Sequence, residues 1–375
     1  MVQESSKLIE PYAVCCVQAY FNNYNPNIRR EFPETLKTQN LKVMSDYIDA
    51  CFYVGANPGS VKLICFPEFS IGGLYNPRTT TEEVKKYEAI TIPGPETEVL
   101  AAKAREHRVY IAACNHENDP QLPDFFFNTA FIINPEGKII LKYRKLNAAY
   151  ACSPHDIMSE YINPITKTKD FFPVVDTSIG RLACFICGDL GIPEIPRIYA
   201  LKGAEVLLHL SSGYSWELAQ QIMRVRAVDN TIYMVNENWA ARILTTTRIG
   251  DIDVVTGIDS RGGGGSMVID YNGDVISRAD GTAPQLVIGQ IDLMSLRRER
   301  GGWRRPNPSN PHGNLLANTR TELYAPFYAR TIFPPDQVIK EGPMSRQNDE
   351  TVTKRRNLAL KNLTEFYDFY SENDV

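Results

Sequence analysis

Three residues of different chemistry stand directly after apolar runs in this sequence. They are Glu68, Lys145 and Cys187, which follow the runs 61–67, 139–144 and 181–186. If each run is a β-strand, the three side chains lie at strand ends, where α/β sheets collect functional residues. A thiol is a nucleophile, a carboxylate can take its proton, and an ammonium group stabilises an oxyanion. The three residue types are therefore sufficient for one catalytic cluster, with backbone N–H groups beside the thiol as oxyanion donors.

Strand-like and helix-like segments alternate along most of the chain. Short apolar runs predict strands, and apolar residues at helical spacing predict helices. The predicted strands are 13–17, 61–66, 109–113, 125–133, 138–144, 181–186, 205–210, 231–236 and 285–292, with a hairpin over 266–278, and the predicted helices are about 33–54, 95–107, 193–202 and 215–229. Such alternation mixed with hairpins predicts a mixed sheet, or two sheets, with helices outside.

The composition changes near residue 297, which predicts a domain boundary there. An arginine-rich stretch, 297–305, is followed by residues rich in proline and asparagine. We expect one domain over 1–296 and a C-terminal extension over 297–375 that serves as an oligomer arm. The arginine cluster is expected to pair with a neighbouring subunit or to remain solvated.

The distal part of the extension divides into two segments. Residues 343–356 are polar and are expected to be mobile. Leu360, Leu363, Tyr367 and Tyr370 recur at helical spacing, which predicts a short amphipathic helix.

Composition limits the function classes. The chain has 375 residues, 43% of them hydrophobic and 22% charged, and its net charge is −4. This balance argues against nucleic acid or an anionic membrane surface as a partner. No apolar stretch reaches the ~20 residues of a membrane helix, and the N-terminus does not resemble a signal peptide. We therefore expect a cytoplasmic protein whose eight cysteines are reduced thiols.

Several motifs admit a structural alternative. Cys184 and Cys187 form a CxxC pair, but Cys184 lies inside the predicted strand and no second pair exists, so a metal or redox site is disfavoured. Cys187 alone would be read as a buried thiol. His209, near the end of a predicted strand, is more typical of a structural histidine than of a catalyst. The glycine run 262–265 precedes a hairpin rather than a helix, which favours a flexible turn over a phosphate loop.

The segments around the three candidate residues resemble the signatures of one enzyme family. They are Phe66-Pro-Glu-Phe69, Lys142-Tyr-Arg-Lys-Leu146 and Cys187-Gly-Asp-Leu-Gly-Ile-Pro-Glu194, and they occur in the order expected for the nitrilase superfamily of carbon–nitrogen hydrolases. Supporting context also matches at Asn128-Thr-Ala130, Gly203-Ala-Glu-Val-Leu-Leu208, Arg226-Ala-Val-Asp-Asn230 and Gly265-Ser266. The resemblance covers roughly residues 12–296.

This resemblance implies both a fold and a mechanism. The fold of the family is a four-layer α-β-β-α sandwich, here with the C-terminal extension. The catalytic glutamate, lysine and cysteine of the family correspond to Glu68, Lys145 and Cys187. Glu68 would act as the base, provided that burial raises its pKa, and Lys145 with the backbone N–H of Gly188 would stabilise the oxyanion. No metal or organic cofactor is implied, and pairing through the helix 193–202 implies a homo-oligomer.

Two departures from the family pattern bear on the substrate. Family members often carry a second glutamate between the lysine and the cysteine; His155, Asp156 and Glu160 are candidates here, with Glu160 nearest in type. True nitrilases usually show Trp-Glu after the cysteine, whereas this chain has Gly188-Asp189, which resembles amidases and carbamoylases. The resemblance therefore favours an amide or ureido substrate over a nitrile.

The walls of the substrate pocket are expected on loops that follow the strands. The candidates are Tyr75, Tyr150, His155, Glu160, Tyr214 and Trp216. For each of the aromatic residues singly, packing is the alternative. Three functions stay open: an amidase with a cysteine nucleophile, an N-carbamoyl amidohydrolase or nitrilase, and an inactive oligomeric scaffold. The intact Glu68, Lys145 and Cys187 argue against the scaffold.

Overall fold

A computed structural model describes most of the chain. The described residues are 8–23, 35–53, 60–74, 80–148, 151–162, 170–213, 217–240, 242–249, 252–259, 263–301, 315–329, 331–337, 353–354 and 357–365.

The first of two large sheets has six strands. In spatial order they are β14 (Gln285–Ile291), β1 (Tyr12–Gln18), β2 (Val61–Glu68), β3 (Tyr110–Glu117), β4 (Phe127–Ile133) and β5 (Ile139–Arg144). Strands β1, β2 and β3 are parallel, whereas β14 pairs antiparallel with β1, and β4 pairs antiparallel with β3 and β5. Strand β5 therefore runs in the same direction as β2, and both end at the same edge of the sheet.

The second sheet also has six strands. In spatial order they are β13 (Val275–Arg278), β12 (Met267–Ile269), β9 (Tyr233–Glu237), β8 (Val206–Leu210), β7 (Gly180–Ile186) and β6 (Val175–Thr177). Strands β7, β8 and β9 are parallel. A separate antiparallel ladder, β10 (Arg242–Ile249) with β11 (Ile252–Asp259), was not expected from the sequence.

Several α-helices accompany the sheets within the described residues. They are α1 (Leu36–Tyr53), α2 (Thr81–Glu83), α3 (Pro95–His107), α4 (Met158–Tyr161), α5 (Glu194–Leu201), α6 (Glu217–Asn230), α7 (Leu293–Gly301) and α8 (Thr321–Tyr328). Residues 357–365, which include Leu360 and Leu363, are also helical, whereas Tyr367 and Tyr370 of the predicted amphipathic helix lie outside the described residues. No helix within the described ranges is both long and apolar enough to cross a bilayer.

Alternation along the buried strands creates the layers. In β1, Val14 and Cys16 belong to the core between the two sheets, whereas Cys15 and Val17 belong to the core beneath α1 and α3. Successive strand residues point to opposite faces, so one fully buried strand serves both cores. Helices α5 and α6 pack on the outer face of the second sheet. Their buried residues belong to the same continuous cluster as the residues between the two sheets. The predicted four-layer α-β-β-α sandwich is confirmed.

Helix α7 crosses the position at which the domain boundary was expected. Arg297 Nε donates to Glu205 Oε1 at 2.6 Å, and Arg300 Nε donates to the Thr231 carbonyl at 2.9 Å. The expectation that the arginine cluster pairs with a neighbouring subunit or remains solvated is wrong for these two residues, because both bind the body of their own chain. The segment 343–356, predicted to be mobile, lies outside the described residues except at 353–354.

Candidate active site

Glu68 is the last residue of β2, and its carboxylate is buried. Oε1 accepts hydrogen bonds from Asn128 Nδ2 at 2.6 Å and from Lys145 Nζ at 2.9 Å. Oε2 accepts one from Ser212 Oγ at 2.7 Å. Donors at both oxygens hold the carboxylate in one orientation and favour its charged form.

The backbone around Glu68 is fixed as well. The indole Nε1 of the buried Trp239 donates to the Glu68 carbonyl at 2.6 Å. The next residue, Phe69, adopts a left-handed backbone with φ of 64°, and its N–H donates to the Cys114 carbonyl at 2.8 Å. A bulky residue rarely occupies this region, so the surrounding contacts must maintain the turn.

Lys145 directly follows β5 and is buried beside Glu68. Its backbone N–H donates to the Asn128 carbonyl at 2.9 Å, while the Asn128 side chain binds Glu68. Asn128 therefore positions both members of the ion pair. The Cys114 thiol contacts Asn128 Oδ1 at 3.1 Å and orients that side chain in turn.

Cys187 begins the turn that follows β7. It is half-buried, whereas the seven other cysteines are buried. Its φ is 47°, in the left-handed region that non-glycine residues seldom adopt. The thiol interacts with the Ser211 side chain and the Ser212 backbone N–H. Because the Ser212 hydroxyl binds Glu68, Ser212 connects Cys187 to the Glu68–Lys145 pair.

Asp189 joins the Cys187 turn to the Lys145 strand. Its Oδ2 accepts hydrogen bonds from the Tyr143 hydroxyl at 2.7 Å and from the Ile186 N–H at 3.2 Å. Its Oδ1 accepts from the Asn147 N–H at 2.9 Å. The carboxylate thus contacts residues on both sides of Lys145 and the residue just before Cys187, which fixes the two segments relative to each other.

Opposing effects set the charges of Glu68 and Lys145. Burial raises the pKa of Glu68, but the charge of Lys145 and the hydrogen bonds from Ser212, Lys145 and Asn128 outweigh it, so the pKa lies below its ordinary value. Burial lowers the pKa of Lys145, but the Glu68 carboxylate, with smaller contributions from Cys187 and Asp189, more than reverses this, so the net shift is upward. The condition set from the sequence, a Glu68 pKa raised by burial, is not met, because the adjacent ammonium dominates. The pair is an ionised carboxylate and a protonated amine.

The thiol of Cys187 is protonated at neutral pH. Burial and the neighbouring Glu68 carboxylate raise its pKa to about 11, although Lys145 and the contacts from Ser211 and Ser212 act in the opposite direction. At pH 7 only about one thiol in ten thousand would be ionised. A nucleophilic thiol here therefore requires a base, and the ionised carboxylate of Glu68 lies in the same cluster.

The structure brings together the three residues singled out in the sequence, whereas most of the predicted pocket lies outside the described residues. Four of the six pocket residues lie outside the described residues: Tyr75, Tyr150, Tyr214 and Trp216. His155 packs its ring against Phe333, with ring centroids 5.9 Å apart. Glu160 is half-buried on α4. Within the described part of the chain, no hydrogen bond or ion pair links His155 or Glu160 to Glu68, Lys145 or Cys187.

Sequence reasoning missed several polar residues of the cluster. Ser211 and Ser212 come directly after β8, at the same edge of the sheets as Cys187, so the strand-end criterion could have identified them. Asn128 stands within β4 rather than at its end, and Trp239 lies far along the chain. Asn128 belongs to a segment that supports the family resemblance, but neither residue carries a local pattern that signals a contact with Glu68.

The two cysteines of the CxxC pair lie in different settings. Cys184 is buried within β7, separate from the half-buried Cys187 that follows the strand. Among the described residues, the metal-ligand grouping found is Asp49, Glu106 and His107 on α1 and α3. There Lys103 Nζ binds Asp49 Oδ1 at 2.8 Å and Glu106 Oε2 at 2.9 Å, so a cation from the chain already balances the carboxylates.

Similar proteins of known sequence include bacterial formamidases. The formamidase of Bacillus cereus strain B4264 is 39% identical over 188 residues, which cover 49% of this chain and 51% of that protein. The formamidase of Bacillus thuringiensis strain Al Hakam matches with the same identity and coverage. The chain spans about half the length of these curated relatives.

Solved structures resemble this chain in fold. An amidase from Nesterenkonia sp. superposes with a TM-score of 0.55 at 18% identity, over 84% of this chain and 96% of that one. Nit3 of Saccharomyces cerevisiae, a member of branch 10 of the nitrilase superfamily, superposes with a TM-score of 0.59 at 22% identity, over 81% of this chain and 99% of that one. The sequence model of the carbon-nitrogen hydrolase family matches residues 24–300, most of the chain. The chain therefore belongs to the carbon–nitrogen hydrolase family.

Proposed function

We propose that this protein hydrolyses the carbon–nitrogen bond of a small amide through a thioester on Cys187. The observation that carries the proposal is the buried ion pair of Glu68 and Lys145, 2.9 Å long, which Ser212 connects to the Cys187 thiol. Membership of the carbon–nitrogen hydrolase family supports hydrolysis as the reaction type.

Acylation begins with a proton transfer to Glu68. Because the thiol pKa is about 11, the proton leaves sulfur as sulfur attacks the amide carbon rather than beforehand. Oε1 of Glu68 already accepts two hydrogen bonds and Oε2 accepts one, so Oε2 is the oxygen with more capacity for the proton. The new C–S bond places a negative charge on the former carbonyl oxygen.

Two groups stabilise that oxyanion. Lys145 supplies a positive charge, whose attraction to the oxyanion is strong because the site is buried. Gly188 supplies a backbone N–H at the start of the turn after Cys187. Collapse of the intermediate breaks the C–N bond. Glu68 returns its proton to the departing nitrogen, so ammonia or an amine leaves and a thioester remains.

Deacylation uses the same groups in reverse. Glu68 takes a proton from water, and the hydroxide attacks the thioester carbon. Collapse breaks the C–S bond, the proton passes to the sulfur, and the carboxylic acid leaves. All of the proposed steps use groups of the chain and water.

The proposed substrate class is a small amide. The formamidases that match half of this chain make formamide the first compound to test. An N-carbamoyl compound and a nitrile are the alternatives left open by the sequence, with Gly188-Asp189 favouring amide or ureido groups. Tyr75, Tyr150, His155, Glu160, Tyr214 and Trp216 stay predictions for the pocket, and a homo-oligomer stays the predicted assembly.

The decisive experiment measures product release by wild type and by Cys187→Ala. Formamide, acetamide, an N-carbamoyl amino acid and an aliphatic nitrile are offered separately, and ammonia and acid are quantified. We expect activity on at least one amide, with a loss of roughly 10⁴-fold or more in C187A. The matched control is Cys184→Ala, which removes a buried thiol that lies within β7, the strand that precedes Cys187, and outside the cluster. An equal loss in both variants, or full activity in C187A, contradicts the mechanism.

Intact-mass analysis separates the enzyme from an inactive scaffold. With an amide substrate, the enzyme should accumulate an acyl adduct that maps to Cys187. The scaffold hypothesis predicts no adduct and no selectively reactive thiol at this position when the protein is treated with iodoacetamide.

A further inference from the structure

His209 lies at the centre of the second sheet, beneath the Cys187 turn. It is fully buried in β8 and is paired in register with Phe185 on one side and Asn236 on the other. Its ring packs on Phe185 with centroids 4.6 Å apart. The position of the imidazole is therefore fixed by both neighbouring strands.

Both ring nitrogens of His209 face oxygen atoms. Nδ1 lies 2.7 Å from Asn236 Oδ1, and Nε2 lies 2.9 Å from the carbonyl oxygen of Cys187. Asn236 is itself held by a hydrogen bond from its Nδ2 to the Gly265 carbonyl at 2.7 Å. A peptide carbonyl and an amide oxygen both only accept hydrogen bonds, so each contact requires a proton on the ring nitrogen that makes it, and Nε2 donates to the Cys187 carbonyl. With Nε2 committed in this way, His209 is not placed to take the proton of the Cys187 thiol.

The carbonyl that His209 binds belongs to the peptide unit between Cys187 and Gly188. A trans peptide is planar, and its C=O and N–H point in opposite directions. Anchoring the Cys187 carbonyl toward β8 therefore directs the Gly188 N–H away from β8. Cys187 has a left-handed φ of 47°, which non-glycine residues rarely adopt. Contacts from the surrounding structure must therefore maintain this orientation of the peptide.

We propose that His209 is a positioning residue for the oxyanion site. By donating from Nε2 to the Cys187 carbonyl, it fixes the plane of the Cys187–Gly188 peptide and thereby aims the Gly188 N–H at the developing oxyanion. This inference rests on the proposed function, because it assigns a source to one of the two oxyanion-stabilising groups. His209 itself does not contact the substrate.

A matched pair of substitutions isolates the relevant hydrogen bond. In His209→Gln, the side-chain amide nitrogen reaches the place of Nε2 and keeps a donor for the Cys187 carbonyl. In His209→Asn, the amide reaches only the place of Nδ1, so it keeps the Asn236 contact and loses the Cys187 contact. We expect kcat to fall roughly 100-fold in H209N, as on removal of one oxyanion donor, with KM within about twofold. H209Q should recover most of that loss.

Two further measurements exclude a merely structural role. Alkylation of Cys187 by iodoacetamide needs no oxyanion site, so its rate should be similar in wild type, H209Q and H209N. Acylation by p-nitrophenyl acetate creates an oxyanion, so its rate should fall in H209N alone. The ester assay also keeps this inference testable if no amide is hydrolysed, in which case the proposed function fails by itself. His209→Met, which fills the space without a donor, replaces H209N if that variant does not fold.

The results that overturn the inference are distinct. An acylation rate in H209N equal to that of wild type shows that the His209 hydrogen bond to the Cys187 carbonyl is not needed for the oxyanion site. Equal losses of acylation in H209Q and H209N, with melting temperatures near that of wild type, show that the donor is not what matters. A parallel fall of alkylation and acylation places the defect at the thiol rather than at the oxyanion site.

Discussion

The hydroxyl of Tyr143 donates a hydrogen bond of 2.7 Å to Asp189 Oδ2, and both side chains are buried. Tyr143 stands two residues before Lys145, and Asp189 stands two residues after Cys187. The bond therefore couples the end of a strand in the first sheet to the turn after a strand in the second. It holds the proposed oxyanion-stabilising lysine and the proposed nucleophile at a fixed separation without involving either side chain.

Removing this bond should weaken both the fold and the proposed reaction. In Tyr143→Phe, a buried carboxylate loses one of its donors, which costs about 1–3 kcal/mol in the free energy of unfolding. Because the Cys187 turn and Lys145 are then less well fixed, kcat should fall by about tenfold or more. Urea denaturation and steady-state amidase assays measure the two effects.

Tyr110→Phe provides the control for Tyr143→Phe. The Tyr110 hydroxyl contacts Ser178 Oγ at 3.0 Å in a partly buried setting, and no contact joins Tyr110 to the cluster in the described chain. Its removal should leave kcat close to wild type. If Y110F and Y143F lower kcat to the same extent, the link between Tyr143 and Asp189 has no special part in positioning.

Ser212→Ala should move the acid limit of activity to higher pH. The Ser212 hydroxyl stabilises the ionised form of Glu68, so its loss raises the pKa of that carboxylate. The base form of Glu68 then disappears at a higher pH, and the acid limb of the kcat/KM profile shifts upward. Ser45→Ala is the matched control, because the Ser45 hydroxyl donates to the Leu41 carbonyl within α1, away from the cluster. An unmoved acid limb in S212A would contradict the assignment of Glu68 as the base.

The same carboxylate should contribute to acid unfolding. The pKa of Glu68 in the folded state lies below its ordinary value of 4.5. A depressed pKa means that its stabilising contribution is fully present above pH 4.5 and is lost as pH falls through the lowered pKa. The free energy of unfolding of wild type should therefore decline more steeply below about pH 4.5 than that of Glu68→Gln. Parallel declines in the two proteins would show that Glu68 is not selectively stabilised as an anion.

Thiol reactivity in Glu68→Gln should separate acidity from catalysis. The negative charge of Glu68 helps to raise the pKa of Cys187 to about 11, so its removal should lower that pKa. Alkylation by iodoacetamide should then be faster at neutral pH than in wild type, while amide hydrolysis is lost with the base. Lys145→Met should act in the opposite direction on alkylation, because the ammonium lowers the thiol pKa. Slower alkylation in E68Q would contradict this electrostatic account.

Most of the cluster follows from local sequence, and its electrostatics do not. Glu68, Lys145 and Cys187 each follow a strand whose apolar run is visible in the sequence, so their meeting at one edge could be predicted. The direction in which the Glu68 pKa shifts depends on whether burial, which raises it, or the Lys145 charge, which lowers it, has the larger effect. That balance requires the 2.9 Å separation, which no sequence pattern supplies.

The extension illustrates a second limit of sequence reasoning. In the sequence, Arg297 and Arg300 belong to a basic stretch that looks exposed. In the structure, they lie on α7, where Arg297 donates to the Glu205 carboxylate and Arg300 donates to the Thr231 carbonyl. The ladder of β10 and β11 was also not expected from the sequence. The arginine contacts depend on pairing between distant segments rather than on local periodicity, whereas β10 and β11 are only two residues apart in the sequence.

The C-terminal extension binds the segment that follows Lys145, and Asp336 makes that contact. Its Oδ1 accepts from the Ser159 N–H at 2.6 Å, its Oδ2 accepts from the Ser159 hydroxyl, and its own N–H donates to the His155 carbonyl at 3.2 Å.

Asp336 has φ of 62°, which Asn tolerates and Ala does not. Asp336→Ala should therefore release residues 331–337 and make them more sensitive to limited proteolysis, whereas Asp336→Asn keeps an acceptor and the backbone and should resist. Both variants should lie within about 2 kcal/mol of wild type in unfolding free energy, because the contact is exposed. Equal cleavage rates in D336A and D336N would show that the Ser159 contact does not hold the extension in place.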